Sequence, residues 1–166
     1  MVLALLLFAP LQAYLVLRWY SDRPPTTETQ SQQTQSPSAS RVTFQGHHYE
    51  VFRHKRTWDE SRRLCEAMSG HLVTINSESE QEFVLALLQQ HPHLPFSSCW
   101  LGGTDRQTPG HWQWITGEEL TLTHHLELDG GNEHWLALRL DTGKWDDYSQ
   151  NGESFGEQWF ICEWEQ

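Results

Sequence analysis

GHLVTINSESEQEF, residues 70–83, is the stretch on which the reading of the fold turns. Gly70 is placed to end a preceding helix in the left-handed conformation. His71–Ile75 (HLVTI) is a short apolar strand. Ser77-Glu78-Ser79-Glu80 then has the form of a capping box, in which a hydroxyl and a carboxylate satisfy free amides of a first helical turn. The helix that follows puts Phe83, Val84, Leu87 and Leu88 on one face and must stop before Pro92.

Working outward, Thr57-Trp58-Asp59-Glu60 is another capping box. It opens a helix that runs to about Met68. Further upstream, VTFQGHHYEVFR (42–53) reads as a first hairpin. Downstream of Pro92 come short strands separated by turns: CWLGGTD (99–105), HWQWIT (111–116), HWLALRL (134–140) and QWFICEW (158–164). Two helices followed by a run of strands define an α+β domain. Nine tryptophans in 166 residues supply large buried surfaces and favour short-stranded β structure over a helical bundle.

The domain begins near Val42 and occupies residues 42–166. Residues 21–41 open with SDRPPTTETQSQQTQSPSAS, which has no aliphatic or aromatic anchor and reads as a disordered linker. Residues 1–20 contain VLALLLFAPLQAYLVL followed by Arg18, Trp19 and Tyr20. That run fits either a signal peptide, with Leu11 and Ala13 at the cut, or a membrane anchor with Trp and Tyr at the interface. Both place the domain outside the cytoplasm, secreted or membrane-anchored, with residues 2–20 as the possible tether.

The net charge of −11 is concentrated in one half. Residues 117–166 hold twelve acids against two bases, whereas residues 41–116 hold eight against seven. Phosphate recognition needs a basic face, so a nucleic-acid partner is excluded. The acids gather in ELDGGNEHWLALRLDTGKWDD (127–147), where Glu127, Asp129, Glu133, Asp146 and Asp147 lie on two neighbouring loops. Like charges there either point apart into water or share a cation. Three cysteines, Cys65, Cys99 and Cys162, suggest one disulfide and one thiol in an exported chain.

Taken in order and spacing, these segments resemble a C-type lectin-like domain over about residues 43–166. The resemblance rests on Tyr49, Cys65 leading into GHLVTINSESEQEF, WLGG (100–103), GHWQW (110–114), ELDGGNEHW, WDD (145–147) and FICEWEQ. It implies two helices flanking short antiparallel sheets, with a long loop held over a Trp-rich core. It makes Trp100 and Leu101 core residues and pairs Cys65 with Cys162 as the outer disulfide. That bridge would stabilise the fold by about 4–5 kcal/mol in the chain-entropy model. The family's inner disulfide is missing, because Trp135 stands at one of its cysteine positions and SQNGESFGEQ (149–158) offers no partner. Trp135 is expected to pack into the space. Cys99 has no counterpart and is either a buried thiol or an intermolecular link.

In sugar-binding members, a Glu-Pro-Asn motif, a further Glu and an Asn-Asp pair after a Trp hold a calcium ion that accepts two vicinal hydroxyls. The resemblance carries these roles to Glu127 and Asp129, to Glu133, and to Asp146 and Asp147. Tyr148 is the nearby aromatic available to stack on a sugar. Calcium takes 6–8 oxygens, and five carboxylates with a carbonyl and water suit it. The chain departs from the motif in three ways: Leu128 replaces the proline, both amides are Asp, and the loop is about one residue shorter. Ionised Asp only accepts hydrogen bonds, so the ring favours a cation and orients hydroxyls less well than Asn. Asp129 places the motif between the family's mannose-type and galactose-type forms.

The histidine pairs His47-His48, His91/His93 and His124-His125 lack the i, i+4 spacing of helical metal ligands and read as solvated. His134, beside Glu133, could flank the ion. No serine or cysteine has a base partner, so the chain is not an enzyme. The reading is a calcium-dependent domain that binds carbohydrate, a cell-surface glycoprotein or a protein ligand. The alternative is a calcium-independent protein-recognition or adhesion module of the same fold.

Overall fold

The computed structural model describes residues 40–92, 97–149 and 158–165. The expectations for residues 1–20, for nearly all of 21–41 and for the 150–157 part of SQNGESFGEQ lie outside them. Among the described residues no helix is long and apolar enough to cross a membrane.

The chain opens with the hairpin β1 (Val42–Phe44) and β2 (His47–Phe52). Its turn is Gln45-Gly46, both with positive φ (46° and 96°), as a two-residue hairpin loop requires. Helix α1 (Trp58–Ala67) starts on a complete capping box. Thr57 Oγ1 accepts from the Glu60 amide, and the Glu60 carboxylate accepts from the Thr57 amide. Strand β3 (His71–Leu72) is followed by α2 (Glu78–Gln89), β4 (Ser98–Thr104), β5 (Gln113–Trp114), β6 (Trp135–Arg139), β7 (Trp145–Tyr148) and β8 (Gln158–Trp164). The main sheet runs β1-β2-β8-β4-β6-β7, with β3 on β8 and β5 on β4. Strands β4 and β8 are parallel, and every other pairing is antiparallel.

Three expectations need correction. The left-handed residue after α1 is Ser69 (φ 63°), not Gly70. Gly70 is required for a different reason: a Cβ there would lie 2.5 Å from the Glu163 carbonyl of β8. The second capping box is half-formed. Ser77 accepts from the Glu80 amide, but the Glu80 carboxylate bonds the Asn76 amide and the buried Tyr49 hydroxyl. Cys99 is fully buried on β4, so the intermolecular link is withdrawn.

Two apolar clusters fill the two sides of the sheet. One gathers Val73, Ile75, Val84, Leu88, Leu101, Trp114, Leu136, Trp145 and Trp159. The other gathers Trp58, Cys65, Leu72, Trp100, Trp135, Phe160, Cys162 and Trp164. Seven of the eight tryptophans among the described residues are buried. Trp135 occupies the second cluster, its ring 6.5 Å from that of Trp58. Cys65 and Cys162 are neighbours in the same cluster. Their mutual hydrogen bond, together with burial, pushes the Cys65 thiol well above its ordinary range.

Candidate functional site

The site is positioned by the β6–β7 hairpin and the loop that precedes it. Trp145 anchors the hairpin: its indole N–H donates to Gln81 of α2 (2.9 Å), and its ring meets Trp114 edge to face. The Gln81 amide in turn donates to the Gly143 carbonyl in the hairpin turn (2.8 Å). The 126–134 loop lies along β7. Leu126 bridges Trp145, and the Glu127 amide donates to the Trp145 carbonyl (2.8 Å). Gly130 and Gly131, both with positive φ (80° and 121°), reverse the chain. His134 then returns beside β7, its amide donating to the Tyr148 carbonyl (3.3 Å).

This path brings Asp129, Glu133 and Asp147 together, with one oxygen from each within 4.8 Å of the others. Two of the three are held by backbone amides. Asp147 Oδ1 accepts from the Asp129 amide (3.2 Å), and Glu133 Oε1 accepts from the Ser149 amide (3.0 Å). Each bond fixes one oxygen and so orients the other. Asp147 is almost fully buried. Burial raises the carboxyl groups of Glu133, Asp146 and Asp147 above the ordinary range, and repulsion among the loop acids raises them further. A cation among them would relieve both costs.

Asp146 and Tyr148 share the opposite face of β7, because side chains alternate along a strand. Asp146 faces Arg139 at 3.7 Å, although it remains close enough to feel the charges of Asp129 and Asp147. Tyr148 packs edge-on against Trp100 (6.1 Å between ring centroids) and is half-buried. Burial pushes its hydroxyl up to about 12. Its ring therefore does not stand beside the three-carboxylate cluster. Glu127 is exposed and falls outside the cluster. The alternation that would align residues 127 and 129 holds for a regular strand, and this segment is a loop. His134 is held by Asp105 (2.8 Å) and Asn132 (3.2 Å) rather than turned to the cluster. A groove of about 640 Å³ lies elsewhere, between α1 and the β4–β5 region, lined by Trp58, Arg62, Arg106, Gln113, Trp114 and Trp135 among others. None of the five loop carboxylates lines it.

The donor set is all oxygen and all anionic, which fits a hard divalent cation such as calcium. Three clustered carboxylates leave several coordination positions for carbonyls, water or a ligand. An α+β domain with a tryptophan-filled core thus carries an oxygen-lined loop beside its β6–β7 hairpin.

Comparison with known proteins gives the family. The profile described as "Lectin C-type domain" matches residues 54–163. Human C-type lectin domain family 17, member A is 33% identical over 124 residues, covering 74% of this chain and 30% of that protein. Mouse C-type mannose receptor 2 is 29% identical over 109 residues, covering 63% of this chain and 7% of that protein. The chain thus spans under a third of these relatives' length. The crystal structure of the C-type lectin CEL-I from Cucumaria echinata superposes with a TM-score of 0.65 at 21% identity, covering 78% of this chain and 96% of that one. The chain belongs to the C-type lectin domain family.

Proposed function

We propose that the domain is an extracytoplasmic, calcium-dependent carbohydrate receptor module. The observation that carries this reading is the convergence of Asp129, Glu133 and Asp147, two of them oriented by backbone amides. These three would hold the ion, with Asp146 and Glu127 at its margin. The bound ion would supply open coordination positions for two vicinal sugar hydroxyls. The carboxylates beside it act as acceptors for the hydroxyl protons, since none can donate when ionised. Cell-surface glycoproteins are the natural bearers of such a ligand. The pairing of Cys65 with Cys162 belongs to the same extracytoplasmic reading.

Three observations favour the calcium-independent protein-recognition module instead. Asp146 is engaged by Arg139, Glu127 stands outside the cluster, and Leu128 at the loop is 40% exposed. Glycan-array binding with calcium and with EDTA separates the two readings. Binding that EDTA abolishes supports the lectin. A silent array under both conditions defeats it.

A further inference from the structure

One histidine pair is built into the fold despite its unhelical spacing. Thr123–His125 forms a single 3-10 turn just before the carboxylate loop. Glu78 is the first residue of α2. His124 Nε2 lies 2.6 Å from Glu78 Oε1, and His125 Nε2 lies 3.0 Å from Glu78 Oε2. The two imidazole rings are 4.3 Å apart. The His125 ring is stacked on Trp145 (5.4 Å), so the tryptophan that anchors the β6–β7 hairpin also fixes one imidazole. Among the described residues the partner of His125 lies on Nε2 and none lies on Nδ1, so Nε2 is the nitrogen turned toward Glu78 and toward any ion between them.

We propose that Glu78, His124 and His125 form a zinc site, with water as the fourth ligand, that staples the start of α2 to the start of the carboxylate loop. All three ligand atoms lie within 4.8 Å of one another. Tetrahedral zinc with bonds of about 2.0–2.1 Å needs ligand atoms about 3.3 Å apart. The two nitrogens face different oxygens of Glu78, at 2.6 and 3.0 Å, so admitting the ion requires these gaps to open and the exposed carboxylate to turn one oxygen toward both rings. Two imidazoles and one carboxylate suit zinc and are a poor set for calcium, which takes oxygen ligands. Without a metal the same contacts make a weak arrangement. Glu78 and His124 are more than half exposed, and exposed ion pairs contribute little. Two protonated rings at this separation would also repel. Lys144 Nζ, donating to the His124 carbonyl (3.1 Å), is an adverse charge nearby.

The site is distinct from the carboxylate cluster but continuous with it through the chain. Leu126 and Glu127, the next two residues, are the ones hydrogen-bonded or bridged to Trp145. A metal on His124 and His125 would hold the entry of the loop that carries Asp129.

The test is a zinc titration of the full chain against a chromophoric chelator, with millimolar calcium present to occupy oxygen sites. One zinc per chain is expected, and both His124→Ala and Glu78→Gln weaken it by at least about tenfold. Asp147→Asn leaves zinc affinity unchanged. The two weakened variants are chosen at exposed positions, and near-UV circular dichroism checks that each is folded. The proposal is overturned if the wild-type chain shows no saturable binding. It is equally overturned if both variants bind like wild type, or if Asp147→Asn abolishes binding.

Discussion

Trp135 stands where a disulfide is expected, and replacing it measures how much its packing contributes. Its side chain is 7% exposed and sits in the cluster with Trp58, Trp100 and Phe160. Its indole N–H has no acceptor among the described residues, so no hydrogen bond is lost with the ring. A tryptophan buries roughly 150–250 Å², and at about 25 cal/mol per Å² that is about 4–6 kcal/mol of transfer free energy. Measured Trp→Ala changes in cores cost about 3–5 kcal/mol. The Arg106 guanidinium, 5.8 Å from the ring centroid, adds a minor cation–π contribution. Trp135→Ala is therefore expected to destabilise the domain by about 3–5 kcal/mol. Trp135→Phe keeps most of the apolar contact and removes an unpaired donor, so it is expected to cost under about 1.5 kcal/mol. Urea denaturation followed by tryptophan fluorescence and circular dichroism reads both. A loss below about 1.5 kcal/mol for the alanine variant, or equal losses for the two, would refute the packing argument.

The remaining predictions concern pH and the cysteines. Glu163 is buried among His47, Tyr49 and Thr74, and burial raises its carboxyl. Burial lowers His47, but the hydrogen bond and charge of Glu163 outweigh it and raise the imidazole. A group raised in the folded state contributes stability that is complete below its unfolded value and is lost as pH rises through its folded value. Both groups thus act in the same direction, and stability in EDTA should decline as pH rises from about 4 to beyond the ordinary imidazole range. The loop acids Glu133, Asp146 and Asp147 add to that decline. Glu60, Glu78 and Asp141 are lowered and oppose it, but they sit at the surface where screening is strong. Glu163→Gln should flatten the decline, and an unchanged slope in urea midpoints across pH would contradict the assignment. Cys99 should resist alkylation in the native chain and give no dimer on a non-reducing gel. A Cys65–Cys162 bridge should appear on peptide mapping of protein expressed through an oxidising secretory pathway, and finding both thiols free there would remove it.

Much of the fold was legible because its signals are local. The Thr57 capping box, the Gln45-Gly46 hairpin and the apolar face of α2 depend on residues within a few positions of one another. Errors arose where a distant partner took a group away from its local role. Glu80 serves Tyr49 and Asn76 instead of closing a box, and Gly70 answers to β8 rather than to the end of α1. The acids of the site were visible in composition, but their grouping was not. Strand alternation separates Asp146 from Asp147, and the loop path leaves Glu127 outside. Spacing alone hides the grouping of His124 and His125, since their third partner is Glu78 on another element. No local signal could have supplied that contact.

Calcium binding to the wild-type chain and to Asp147→Asn, measured by titration calorimetry with thermal unfolding alongside, tests the central claim most directly. A saturable wild-type site is expected, with affinity near the 10⁻⁴–10⁻³ M range of extracellular modules. Calcium at about ten times that dissociation constant would stabilise the fold by about 1.4 kcal/mol. Asp147→Asn should lose most of both effects. An absence of heat and of thermal shift in the wild-type chain, or identical responses in the two proteins, would contradict the account.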